Sequence, residues 1–153
     1  MSVSSTLAGD NGGSGVHIAP TGSANVFATL SRVEAHNNSV EGIFVDATMG
    51  TGKIYATVND SLADYNAGGF VVSTASGQGT PSLTVARSVA ANNRSLGLFS
   101  FGPNAVLRIG QSVVTGNGDS WLMLNGGTVL SYGDNDMDGN QTGDPAPGVI
   151  SRK

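Results

Sequence analysis

Short apolar runs recur along this chain at a near-constant distance from an asparagine. The stretch Leu83 to Val106, LTVARSVAANNRSLGLFSFGPNAV, holds one full unit. It contains two short strand-like runs, an Asn pair at Asn92 and Asn93, then Gly97-Leu98-Phe99-Ser100 and a Gly-Pro-Asn corner. Each run alternates too quickly and ends too soon for a helix, so strands are predicted throughout. The asparagines taken to close the second run are Asn11, Asn37, Asn66, Asn93, Asn117 and Asn140, at gaps by subtraction of 26, 29, 27, 24 and 23 residues. Four residues before the first five stand Leu7, Val33, Leu62, Val89 and Val113. After them come Gly15-Val16-His17-Ile18, Gly42-Ile43-Phe44-Val45, Gly69-Phe70-Val71-Val72 and the Gly97 run, with Ser120-Trp121-Leu122-Met123 in the fifth. A further strand precedes each second run, at VFATLS (26–31), IYATVN (54–59), SLTVAR (82–87) and VLRIGQ (106–111).

A period in this range belongs to stacked repeats, where each unit buries its apolar face only against a copy of itself. One domain is therefore expected over 1–153, with coils at about 3–25, 26–53, 54–82, 83–106, 107–129 and 130–142 and a tail at 143–153. Stacking predicts two inward columns, Val16/Ile43/Phe70/Leu98/Trp121 and Leu7/Val33/Leu62/Val89/Val113. The six asparagines form a third, a structural ladder. Asparagine tolerates the left-handed backbone of a sharp corner, and its amide offers a donor and an acceptor to the coils above and below. The chain opens almost inside a coil, which points to a piece, or the C-terminal part, of a longer protein.

The pattern S-x-V-x-x-N…G-[IVF]-x-[VI] and the ending LSYGDNDMDGN resemble right-handed parallel β-helix repeat proteins of the pectate-lyase-like superfamily. The resemblance spans roughly residues 3–140. It implies an all-β, right-handed parallel β-helix, a single-stranded solenoid of about six coils. By the resemblance alone, a polysaccharide partner and a secreted or cell-surface location are plausible. Polysaccharide-cleaving members present carboxylates and a basic residue on an outer face, often with calcium. A fold of this kind supports many functions, so activity has to be argued from particular residues.

Composition narrows the classes. Charged residues make up 12 % and net charge is −4, with only seven Lys plus Arg, so an electrostatic nucleic-acid partner is not expected. No cysteine is present, which removes disulfides, thiolate metal sites and a cysteine nucleophile. The chain shows neither a signal-peptide pattern nor an apolar run long enough to span a membrane, so no membrane partner is expected.

Three candidate chemistries remain. Asp134, Asp136 and Asp138 match the first half of a calcium loop, but Pro145 stands where its closing Glu belongs, so no metal is favoured there and no cofactor is assigned. Asp60, Arg87 and Gln111 share one column, where Asp60 and Arg87 suit an exposed ion pair. Glu34 and Asp64 are read as pointing to different sides, and His17 and His36 as lacking a carboxylate in a matching column. No catalytic residue is assigned.

The outward neighbours in the third strand are His17, Phe44, Val71, Phe99 and Leu122. A solvated strand should be polar on that side. Either the loops at 46–53 and 73–82 fold over this stripe, or another molecule does. The expected function is a non-catalytic structural or interaction module that self-associates, through a side face or its coil ends, or binds a partner. The alternatives are a carbohydrate-binding or polysaccharide-cleaving domain, and a calcium-stabilised segment of an adhesin-like surface protein.

Overall fold

The computed structural model describes residues 1–143 and 147–151. Fifteen strands and no helix occur among them: β1 (Ser2–Gly9), β2 (Val16–Ile18), β3 (Val26–His36), β4 (Glu41–Asp46), β5 (Ile54–Asn59), β6 (Leu62–Asp64), β7 (Gly68–Ser73), β8 (Pro81–Ala86), β9 (Val89–Ala91), β10 (Leu96–Phe101), β11 (Val106–Gly110), β12 (Val113–Thr115), β13 (Asp119–Leu124), β14 (Thr128–Ser131) and β15 (Asp136–Met137). Every strand pairing is parallel and joins one coil to the next. The chain is a parallel β-solenoid of about five turns, one fewer than the sequence suggests. Among the described residues the sixth unit holds β14, β15 and two isolated bridges, Thr142 to Asp119 and Ser131 to Val149.

Two sheets result. The first has ten strands, with β3 long enough to serve both of its halves, and the second runs β13-β10-β7-β4-β2. A left-handed residue bends the first sheet in each coil, at Ser5, Arg32, Asp60, Arg87 and Gln111. A second left-handed residue, at Asp10, Asn37, Tyr65, Asn92, Gly116 or Gly139, turns the chain toward the second sheet. The ladder asparagine is the residue immediately after it.

This corrects the second ladder position, which is Asn38 and not Asn37. Asn38 is fully buried and its Oδ1 accepts from Asn11 Nδ2 at 2.8 Å. Its own Nδ2 donates to Asn66 Oδ1 at 2.9 Å. Asn66, Asn93, Asn117 and Asn140 continue the chain of amides at 3.2, 2.8 and 2.8 Å. Asn37 instead holds the left-handed corner and donates to Asp10 Oδ1 at 2.7 Å. The corner role and the ladder role fall to two successive residues, and in coil two both happen to be asparagine.

The column of Leu7, Val33, Leu62, Val89 and Val113 is corrected as well. The register stacks Leu7, Glu34, Leu62, Val89 and Val113, and that column faces outward, with Leu7 70 % exposed. Val33 is buried but pairs with Thr6. The inward column lies one residue on, at Ala8, Ala35, Ala63, Ala90 and Val114. Small residues belong there because the two sheets converge. A Cβ on Gly42 would stand 2.9 Å from Ala63 Cβ and 2.8 Å from Asn66 Nδ2. The glycines of the repeat are therefore a packing requirement of this thin end. At the wide end the larger column Ile43, Phe70 and Leu98 is fully buried, with Val16 and Trp121 partly buried above and below.

A second polar ladder runs along the bend of the first sheet. Ser61, Ser88 and Ser112 each donate their hydroxyl to the carbonyl two residues back. Each accepts the backbone N–H of the preceding coil, from Val33, Ser61 and Ser88, at 3.1 Å. Asn135 closes the series by accepting from Ser112 N at 2.9 Å. The bend thus satisfies backbone donors that a regular sheet ladder would leave bare at a corner.

Candidate interaction surface

The second sheet carries the outward stripe. Register stacks His17 on Phe44, Phe44 on Val71, Val71 on Phe99 and Phe99 on Leu122. Phe44, Phe99 and Leu122 are half-buried, Val71 is 3 % exposed and His17 is exposed. The His17 and Phe44 rings lie parallel, with centroids 4.7 Å apart. The adjacent outward column reads Asp46, Ser73, Phe101 and Leu124. The stripe therefore widens toward β13, where Phe99 and Phe101 contact at 6.0 Å and Leu124 is 44 % exposed. The sequence reading missed Phe101 and Leu124, although strand alternation carried two residues past Phe99 and Leu122 would have found them.

The long loops bond along their own corner. Gly79 N donates to Gly50 O, Thr51 N to Gly22 O and Ile54 N to Thr80 O, so each loop is tied to the loops of neighbouring coils.

Both histidines have carboxylate partners, and for His36, whose partner Asp64 stands in its own column, this overturns the sequence reading. His17 Nε2 lies 3.3 Å from Asp46 Oδ2, and His36 Nδ1 lies 3.0 Å from Asp64 Oδ1. His36 and Asp64 face each other across coils two and three, with the Tyr65 ring edge-on to His36 at 5.6 Å. The misplaced anchor at Asn37 hid this pair. Counting from Asn38 gives Glu34 and Asp64 the same parity, so they share one face of the sheet and do not point apart.

That face borders a shallow trough along the bend, lined by Arg32, Glu34, Asp60, Ser61, Leu62, Arg87 and Val89. It continues past Ser5, Thr6 and Leu7. Arg87 Nε and Nη2 clamp the two Asp60 oxygens at 2.8 and 3.0 Å. The Arg87 hydrogen bonds hold the Asp60 carboxyl below the usual carboxylate range, helped by the charges of Arg87 and Arg32. The same contact raises Arg87. Arg32 Nε donates to Ser5 Oγ at 3.1 Å. Gln111 stands in the same corner column and donates its backbone N–H to Asp134 Oδ1 at 3.1 Å.

Because Asp60 is depressed in the folded chain, the pair is intact above the ordinary carboxylate range. It is lost only as pH falls through the lowered Asp60 value. A carboxyl-carbon NMR titration should place the Asp60 midpoint below that of a free aspartate, and Arg87→Ala should return it to the ordinary range.

Asp134, Asp136 and Asp138 are spread over the last unit. Asp134 sits at the bend under Gln111, Asp136 pairs with Val113 in β15, and Asp138 Oδ1 accepts from Gly139 N at 2.8 Å. Among the described residues no three His, Cys, Asp or Glu side chains gather as a metal-holding group. Pro145 lies outside the described residues.

These features define a class, a parallel β-solenoid with an internal asparagine ladder and an apolar outer face on its second sheet. No protein-family model, no curated protein and no solved structure matches the chain.

Proposed function

We propose that this chain is a non-catalytic β-solenoid interaction module that pairs with a second copy through the outer face of its second sheet. The observation that carries this reading is the outward column of Phe44, Phe99 and Leu122 around the already buried Val71, broadened by Phe101 and Leu124. The fold does not need apolar groups there, since its core is filled from the other side of the same strands. A two-fold axis parallel to the solenoid axis would set each residue of the column against its own copy. The sheets would then pack face to face at about 10 Å. Aromatic anchors at the centre of such a face supply most of its binding energy.

Light scattering at two concentrations tests it. The wild-type chain should gain mass toward a dimer at the higher concentration, and Phe44→Ser/Phe99→Ser should stay monomeric with its circular dichroism unchanged. A wild-type monomer at high concentration, or a dimer that survives the double substitution, sinks the reading.

A second reading has its own support. The trough beside Arg32 and Glu34, and the exposed stacked rings of Phe27 and Tyr55 at 5.3 Å, suit a polysaccharide laid along the solenoid. The resemblance to pectate-lyase-like β-helices favours the same class. A glycan array decides it, and binding lost on Tyr55→Ala would support it.

A further inference from the structure

His17 and Asp46 stand together on the outer face of the second sheet. The His17 ring lies flat on Phe44, with centroids 4.7 Å apart, which fixes its plane. Asp46 Oδ1 accepts the Thr48 backbone N–H at 2.9 Å, and Oδ2 is left facing His17 Nε2 at 3.3 Å. Both side chains are therefore oriented by the fold. Their separation is informative. Two donors on a tetrahedral zinc ion, with bonds of about 2.0–2.1 Å, stand about 3.3 Å from each other. An imidazole nitrogen and a carboxylate oxygen are also donors that zinc accepts.

One chain supplies only half of such a site. Among the described residues no third His, Cys, Asp or Glu joins the pair. Register places His17 in the column of Phe44, Val71, Phe99 and Leu122, and Asp46 in the column of Ser73, Phe101 and Leu124. In the face-to-face pair, a two-fold axis parallel to the solenoid axis brings His17 and Asp46 opposite their own copies. The midplane then lies about 5 Å from each sheet, within reach of both side chains from both sides. Two imidazoles and two carboxylates surround one point there. Without a cation, the same arrangement sets two carboxylates against each other beside an apolar face, which opposes pairing. An antiparallel pair would instead set His17 against Leu122 and leave each half-site alone. Coils stacked before β2 would not cover the pair, because both side chains project sideways from the sheet.

We propose that His17 and Asp46 form half of a zinc site, completed by the same two residues of a second copy. Zinc then locks the paired form, and pairing tightens as zinc rises. The proposal rests on the pairing of the second sheets argued above, and it gives that face a ligand and a regulator. His36 and Asp64 provide a comparison within the molecule. Their nitrogen and oxygen are 3.0 Å apart, but they lie on the first sheet and meet no second copy.

The test is sedimentation equilibrium of the whole chain in EDTA and in zinc chloride, alongside His17→Ala, Asp46→Asn and His36→Ala. Zinc should lower the wild-type dimer dissociation constant at least tenfold, and calorimetry should find one zinc per two chains. Cobalt(II) in its place should give the strong visible absorption of a tetrahedral centre. His17→Ala should lose the response, with equal dissociation constants in EDTA and zinc. Asp46→Asn should lose it too, yet pair more tightly than wild type in EDTA because the facing charges are gone. His36→Ala should keep the full response. A wild-type dimer in EDTA that zinc leaves unchanged overturns the zinc site and leaves the pairing standing. A monomer in both conditions overturns both. A zinc response that survives His17→Ala, or that His36→Ala removes, overturns the site as well.

Discussion

Phe70→Ala is expected to lower stability by about 3–5 kcal/mol, as truncation of a fully buried aromatic does when its surroundings cannot collapse. Phe70 is 0 % exposed in the middle coil, stacked between Ile43 and Leu98. Hydrogen bonds of the sheet hold those neighbours at the inter-coil spacing of about 4.8 Å, so the gap cannot close by sliding one coil toward the next. A solenoid also couples its two halves only through adjacent coils, and this cavity weakens the coupling at its centre. Urea denaturation followed by circular dichroism should therefore show an earlier midpoint and a less cooperative transition. Phe99→Ala, an outward and half-buried side chain in the adjacent coil, should cost distinctly less. Equal losses for the two would mean that the inner and outer faces of the second sheet have been exchanged.

What the sequence disclosed follows from which interactions repeat. The inward column Val16, Ile43, Phe70, Leu98 and Trp121 was legible because a glycine precedes each member but the last, and a large apolar residue cannot be confused with a corner. The second strands were not, since they are only three residues long in β6, β9 and β12. A run that short offers little inward signal, and opposite the repeat glycine its inward residue is an alanine at Ala35, Ala63 and Ala90 and a valine at Val114. Leu62 and Val89 looked like core because they are apolar, whereas Ala63 and Ala90 are core because they face the repeat glycines Gly42 and Gly69 across the thin end. The serine ladder escaped for a related reason. A serine beside a valine reads as an ordinary turn residue, and its bond to the next coil exists only once the coils are stacked. The outward stripe was legible by alternation, but what occupies it is a property of the surface and not of the repeat.

Asn38→Ala should cost about 2–4 kcal/mol while Asn37→Ala costs about 1, and the contrast between these neighbours measures the two corner roles separately. Asn38 is buried between coils one and three. Its Oδ1 accepts from Asn11 N and Nδ2 at 3.2 and 2.8 Å, and its Nδ2 donates to Ala8 O and Asn66 Oδ1, both at 2.9 Å. Alanine strands the Ala8 carbonyl and one lone pair of Asn66, and an unmet buried polar group costs about 1–3 kcal/mol. The first coil is also open to solvent at Asn11, so water recovers part of the loss on that side. Asn37 contributes a single exposed bond to Asp10 and a backbone φ of 51°. Its alanine variant loses little beyond the strain of a left-handed alanine, and Asn37→Gly, which removes that strain, should be close to neutral. Urea midpoints of the three variants give the answer. If Asn37→Gly is destabilised as much as Asn38→Ala, the amide ladder passes through residue 37 and the register of the second coil is shifted by one.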